Sequence, residues 1–452
     1  MTVQAAPLRA QSPPRRRGAC PSLSAPMPTG DGLLVRLRPI GTIPLAAFAA
    51  LCRAARRHGN GIVEVTSRGS VQVRGLSAAA APQFAAAVAA AGIAVEDGVA
   101  VVCTPLAGLD AGEQLDAEAL AADLRRALAS TSLAARLAAK VAVAIDGGGA
   151  LNLDAVGADL RLRAAASSGG ALLRISVGGD GARAFALGAI APPNAVEAVL
   201  RLLHVIAQRS GAARARTVVA AEGIDVFRAP LTGLLVPSAK TRASLDNARA
   251  ARSRANAHSE PHRSDQAIGR HRLRDGSFAC GVGLAFGHVH AALLEHLVAA
   301  AAAAGASGIR AAPGRVLMGI ALAAAKAPAF TAEAEQLGFV IRADDPRRSV
   351  IACAGAPLCA AAHIAARAMA ARVAETAAAQ IDGSFKIHIS GCTKGCAHPA
   401  AAALTVVGTP DGCALIANGS ARAPSFAVVG TDALPVAVAE YVDGIEREAD
   451  HV

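Results

Sequence analysis

The strongest constraint on what this chain can fold into is that it repeats itself. Setting Gly41 against Gly287, an offset of 246, brings Phe48 onto Leu294, Leu51 onto Leu297, Gly59 onto Gly305, Val63 onto Ile309 and Val71 onto Leu317. Each copy reads as a strand, a helix, a glycine-containing turn and two short strands, which is half of a ferredoxin-like unit. Alanine-rich sequence matches itself freely, so the paired glycines and β-branched positions carry the alignment. Further α/β material follows each copy. In the first half a helix is expected over 115–129 and strands over 141–145 and 172–177. In the second, a strand over 350–352 leads to a helix over about 360–379 and a strand over 387–389. The expected fold is therefore α+β and duplicated, with two half-ferredoxin-like modules (18–104 and 271–340), two α/β modules (105–237 and 341–452) and pseudo-two-fold symmetry. Residues 1–17, rich in Pro, Arg and Ala, read as a disordered tail, and 238–270, rich in Arg, Ser, His and Asn, as a linker.

Composition narrows the partners. Lys and Arg number 45 against 34 acidic residues, a net charge of +11, so the chain should attract anions. Nucleic acid is excluded as the expected partner, because one Tyr and no Trp leave almost nothing to stack on bases. The remaining basic residues suit a small polycarboxylate. No membrane span is expected, since the richest apolar stretch, 291–309, is broken by Glu295, His296 and Gly305. Arg15, Arg16 and Arg17 suggest a twin-arginine signal, but Gly18, Cys20 and Pro21 stand where its apolar region belongs, so a cytoplasmic location is expected.

Four of the 9 cysteines stand in two short, small-residue loops: Cys353 and Cys359 with five residues between them, Cys392 and Cys396 with three. Four thiolates that turn toward one point are what an iron–sulfur cluster needs, and Gly355, Pro357, Gly391 and Gly395 supply the turns. A structural zinc site fits the second pair and fits the first poorly; unligated buried thiols are the remaining alternative. Disulfides are disfavoured in a chain without a secretory signal. Cys20, Cys52, Cys103, Cys280 and Cys413 read as small core hydrophobes.

These features together resemble the sulfite and nitrite reductase family, which has two half-ferredoxin-like modules, two α/β modules and a C-x5-C, C-x3-C cluster site. Within that family the chain is most similar to the oxygen-using branch that serves aerobic cobalamin synthesis. The segments that carry the likeness are Arg-Gly-Ala-Cys-Pro-Ser at 17–22, Pro-Met-Pro-Thr-Gly-Asp-Gly-Leu-Leu at 26–34, Cys-Ala-Gly-Ala-Pro at 353–357 and Ser-Gly-Cys-Thr-Lys-Gly-Cys-Ala-His-Pro at 390–399. The resemblance implies a 4Fe-4S cluster on Cys353, Cys359, Cys392 and Cys396. It also implies that Arg36, Arg38, Arg68, Gln72 and Arg74 contact a tetrapyrrole. Residue chemistry agrees, because Arg36 and Arg38, and likewise Gln72 and Arg74, alternate onto one face of a strand, and guanidinium groups grip carboxylates in bidentate fashion. Exposed arginines on a solvated sheet are the competing reading.

The chain departs from the anion reductases at two places. No basic residue falls at 98–101, and of their Lys-x-Lys strand only Lys140 remains, followed by Val141 and Ala142. Loss of two cations argues against reduction of sulfite or nitrite and against sirohaem, the cofactor of that alternative. The oxygen-using branch instead binds precorrin-3A, a metal-free tetrapyrrole with about eight carboxylates, so the arginines keep a purpose. Its reaction hydroxylates the ring with dioxygen and closes a lactone. Electrons derive from reduced nicotinamide through a separate donor protein, since no nucleotide-binding glycine fingerprint is present. Asp31, in the turn Thr29-Gly30-Asp31-Gly32, is a candidate for handling ring-nitrogen protons, and His398 for a hydrogen bond to cluster or ring. Lys394 would raise the cluster's potential. For dioxygen, a mononuclear non-haem iron on His288 and His290 is one route, with solvated loop histidines as the competing reading. A non-catalytic tetrapyrrole-binding protein or electron carrier is a third reading of the whole. Gly147, Gly148 and Gly149 lack a following Lys-Ser/Thr and read as a tight hairpin.

Overall fold

A computed structural model describes residues 21–237 and 267–449, with side chains to 444. The expected tail at 1–17, Cys20 and nearly all of the expected linker lie outside the described residues.

Four five-stranded sheets organise the described residues. The first runs Met27–Thr29, Gly32–Leu37, Val71–Leu76, Ile62–Val65, His288–His290, and the second Gly269–Arg272, Phe278–Gly283, Val316–Leu322, Gly308–Ala312, Ile43–Pro44. All neighbours in both are antiparallel. The last strand of each comes from the other copy. Val289 pairs with Val63, and Ile43 with Ile309, so the offset of 246 found in the sequence carries one pairing onto the other. Each exchanged strand runs straight into a helix, Leu45–His58 or Ala291–Ala303, and these pack into one shared core. Phe48, Leu51 and Phe84 meet Leu294, Leu297 and Phe330 there, all but fully buried, each burial contributing about 1.5–3 kcal/mol.

Backbone detail repeats too. Gly69 (φ 80°) matches Arg315 (φ 65°), and Gly75 (φ 72°) matches Ala321 (φ 62°). The strands Gly32–Leu37 and Phe278–Gly283 carry register shifts at equivalent places, Leu33/Val35 and Phe278/Cys280.

The other two sheets share an order as well. One runs Ala100–Cys103, Ala142–Asp146, Ala158–Ser167, Gly170–Gly179, Phe185–Ile190, and the other Val350–Ala352, Ile387–Ser390, Ala402–Thr409, Gly412–Gly419, Ala427–Val429. In both, the first three strands are parallel and the last two antiparallel additions. Parallel pairing corrects the expectation at Gly147–Gly149. Strand Ala142–Asp146 lies parallel to Ala158–Ser167, so no hairpin joins them, and the turn is closed instead by Asp146, whose carboxylate accepts from the Gly148 N–H at 2.9 Å. The expected helix over 360–379 begins only at Ala366 and ends at Thr376. Residues 360–365 stay in the cysteine loop, held by Ala360 N–H donating to Gly30 O at 3.0 Å and His363 N–H to Gly391 O at 2.8 Å.

Candidate functional site

A row of polar residues crosses the first sheet. Arg36 sits opposite Gln72, Gln72 opposite Glu64, and Glu64 opposite His288, so one register line spans four strands and both halves of the chain. Residues directly opposite on adjacent strands lie close enough for side chains to bond. Gln72 Oε1 accepts from Arg36 Nε at 2.8 Å and Nη2 at 2.5 Å, while Gln72 Nε2 donates to Glu64 Oε2 at 2.5 Å. Two residues along the strand, Arg74 donates to Glu64 Oε1 at 3.4 Å and, bidentate, to both oxygens of Asp31 at 2.8 Å.

Asp31 is therefore not an open turn residue. Its side chain is 1% exposed and also accepts from Thr29 Oγ1 at 2.7 Å and Asn60 Nδ2 at 3.2 Å. Burial raises its pKa, and the hydrogen bond and charge of Arg74 outweigh that and hold it below the usual carboxylate value. For Arg74, burial opposes the charge, and Asp31 and Glu64 more than restore it. Both stay ionised, and Asp31 fixes the Arg74 guanidinium in place.

The turn that bears Asp31 joins this face to the cysteines. A Cβ at Gly30 would stand 2.2 Å from Cys359 Sγ, so a side chain there would displace the thiol. The pairs themselves sit at the carboxyl ends of two adjacent parallel strands, Val350–Ala352 and Ile387–Ser390, where open α/β sheets gather ligands. Gly391 N–H donates to Cys353 Sγ at 3.1 Å. Burial, and after it the neighbouring thiols, raise the pKa of Cys353 and Cys396. Among the described residues no three His, Cys, Asp or Glu side chains close on a single ion.

The other expected residues are placed unevenly. Strand Gly32–Leu37 ends before Arg38, which turns to Glu96 (3.4 Å) and to the carbonyls of Glu96 and Gly98 at 3.2 and 2.8 Å. Arg36 and Arg38 still line one cavity of about 230 Å³ with Ser22, Glu96 and Gly98. Arg68 is exposed and donates to Gly157 O at 3.0 Å, and Lys140 is exposed outside that cavity. His398 is half-buried; its Nε2 lies 3.3 Å from Ala401 O and its ring 5.7 Å from that of His388, edge to face. Lys394 is exposed between the cysteines. His288 and His290 are not brought together. Because the strand stops at His290, its Nδ1 caps the next helix by accepting from Ala292 N–H at 3.3 Å, and the ring is exposed, whereas His288 is buried.

Four residues at this junction escaped the sequence reading: Glu64, Arg315, Arg367 and His388. His388 is fully buried, neither ring nitrogen has a partner among the described residues, and burial, His398 and Arg315 lower its pKa to about 4, so it is neutral. Its place four residues before Cys392 on an apolar strand was the available signal. Glu64 interrupts Ile-Val-Glu-Val on the same alternation as the arginines.

Residues 25–91, which build most of the polar face, match the family model described as Nitrite/Sulfite reductase ferredoxin-like half domain. The whole fold resembles that of the Mycobacterium tuberculosis NirA protein, with a TM-score of 0.68 over 92% of this chain and 80% of that one at 20% identity. Fold and site thus define a protein of the duplicated nitrite and sulfite reductase architecture. A curated relative from Sinorhizobium sp, named precorrin-3B synthase, is 38% identical over 408 residues, 90% of this chain and 84% of the relative. The chain belongs to the precorrin-3B synthase family.

Proposed function

We propose that this protein binds precorrin-3A and carries out the oxygen-dependent hydroxylation and lactone closure that give precorrin-3B in aerobic cobalamin synthesis. The observation that carries the reading is the partly buried polar row Arg36–Gln72–Glu64–His288 with Arg74, held against the cysteine loops by the Gly30 turn. A polycarboxylate ring suits such a face, because fixed guanidinium groups bind carboxylates without reordering. The likeness to a named precorrin-3B synthase favours this over a sirohaem reductase.

Cys353, Cys359, Cys392 and Cys396 would hold a 4Fe-4S cluster, which supplies one-electron transfer beside the ring. Residues of the chain do the rest. Arg36, Arg38 and Arg74 bind acidic side chains of the substrate, with Arg68 and Lys140 as outer contacts. Asp31 is a positioning residue for Arg74. His388, held neutral, and His398 border the Cys392–Cys396 loop, where His398 would hydrogen-bond cluster or ring. Electrons reach the protein from reduced nicotinamide through a separate donor protein in the cytoplasm; no helix among the described residues is long and apolar enough to cross a membrane.

Visible absorption and reduced electron paramagnetic resonance spectra, recorded without oxygen before and after adding precorrin-3A, test this. The expected result is a cluster signal without a haem band, perturbed by substrate. A sirohaem band coupled to the cluster would overturn the reading.

A further inference from the structure

Arg315 occupies a costly place. It lies in the tight turn between Gly308–Ala312 and Val316–Leu322 with φ 65°, a left-handed backbone that disfavours any residue with a Cβ, and the equivalent position in the other copy is Gly69. Glycine would serve the turn better, so the side chain has another use. Its stem runs over Gly287, where a Cβ would stand 2.6 Å from Arg315 Cδ, beside His288 at the end of the polar row. Arg367, at the start of helix Ala366–Thr376, approaches the same place from the cysteine module.

Neither guanidinium has a hydrogen bond or an ion pair among the described residues. Among the described residues Glu64 is the one acidic group whose charge reaches both, and Gln72 and Arg74 already engage it. Among the described residues no cysteine acts electrostatically on either, whereas Cys396 does on Arg74. His288 is 4% exposed, and neither of its ring nitrogens has a partner among the described residues. Two half-buried cations and an unpartnered imidazole thus face one committed carboxylate, a deficit that an anionic ligand would fill.

We propose that Arg315, Arg367 and His288 form an anion-binding subsite, supplied by the C-terminal half, that takes a carboxylate side chain of the tetrapyrrole. The ring is then gripped from both halves, by Arg36 and Arg74 on one side and by this subsite on the other. The inference rests on the tetrapyrrole reading above.

Uroporphyrin, a metal-free ring with an acid at every outer position, and its methyl ester are suitable probes, with binding to the cluster-loaded protein read by porphyrin fluorescence. Unaltered protein should bind the acid and not the ester. Arg315→Gly and Arg367→Gln should each raise Kd about tenfold. Arg315→Gly should leave the melting temperature unchanged or higher, because glycine relieves the left-handed turn. Unchanged Kd in both variants, with binding by the unaltered protein intact, would remove the subsite and leave the function standing. A shifted reduction midpoint of the cluster with Kd unchanged would also overturn it, assigning the charges to the cluster. Failure of the unaltered protein to prefer acid over ester would instead sink the tetrapyrrole reading and the subsite with it.

Discussion

The two ferredoxin-like sheets share strand order, bulge and exchanged edge, yet their outer faces have opposite fates. On the first, the register line reads Arg36, Gln72, Glu64, His288; on the second, the equivalent line reads Gly281, Met318, Arg310, Thr42. Arg74 is answered by Ile320. The second face is closed by the chain itself. Residues 267–268 lie so tightly over Gly281 that a Cβ there would stand 1.8 Å from Ala267 O, and Met318 and Ile320 pack with Leu106 and Leu151. Arg310 is absorbed into structure by Thr42 Oγ1 at 3.1 Å and the carbonyls of Pro105 and Ala107 at 3.2 and 3.0 Å. Duplication therefore produced two equivalent faces, and burial by local sequence decided which one stayed polar. The α/β sheets divide likewise, with a cysteine loop after Ile387–Ser390 and a glycine turn after Ala142–Asp146.

The contrast can be broken most completely at the cysteines. Cys359→Ser should abolish the broad visible absorbance and the activity together, whereas Cys103→Ser, at the corresponding strand end of the first half, should keep both; absorbance retained in the first variant would remove Cys359 as a ligand. Next in size is Arg74→Ala, which strands two carboxylates, one of them buried. Urea unfolding should show a loss of about 3–5 kcal/mol. Breaking the sealed face should cost less: Gly281→Ala forces the covering segment outward for about 1–3 kcal/mol, with ring affinity unchanged, and an unaltered urea midpoint would show that the seal is slack.

The last test sharpens the comparison through pH. Burial, with Arg367, Arg74 and Arg315 nearby, lowers the pKa of His288 from 6.5 to about 3. Between those values the unfolded chain takes a proton that the folded chain refuses, so stability should fall as pH drops from 6.5 toward 3. His288→Thr, the residue of the other copy, should flatten that slope in urea midpoints measured across the window. An unchanged slope would mean that His288 is not held neutral.

Much of this was legible beforehand because it is local or periodic. The repeat showed in glycines and β-branched residues whose backbone roles recur, and both cysteine loops follow apolar strands. The strand exchange was not legible. Ile43 and Pro44 form a two-residue strand with no signal of a partner more than 260 positions away. Alternation placed Arg36 and Arg38 on one face, but the strand ends at Leu37 and the second guanidinium turns to Glu96. Asp31 looked like a free turn residue because Arg74, its partner, lies 43 positions on. Gly147 was misjudged because parallel pairing is invisible to a local turn rule.

The exchanged strands also set a timetable for synthesis. As the chain emerges from the ribosome, the N-terminal sheet holds four strands, and the backbone edge of Ile62–Val65 stays bare until residue 290 has been made. An open edge of apolar, β-branched sequence pairs readily with other chains. The nascent N-terminal half should therefore be the species most in need of chaperone cover, and a ribosome stalled before residue 288 should yield an aggregation-prone fragment where one stalled after the second copy would not.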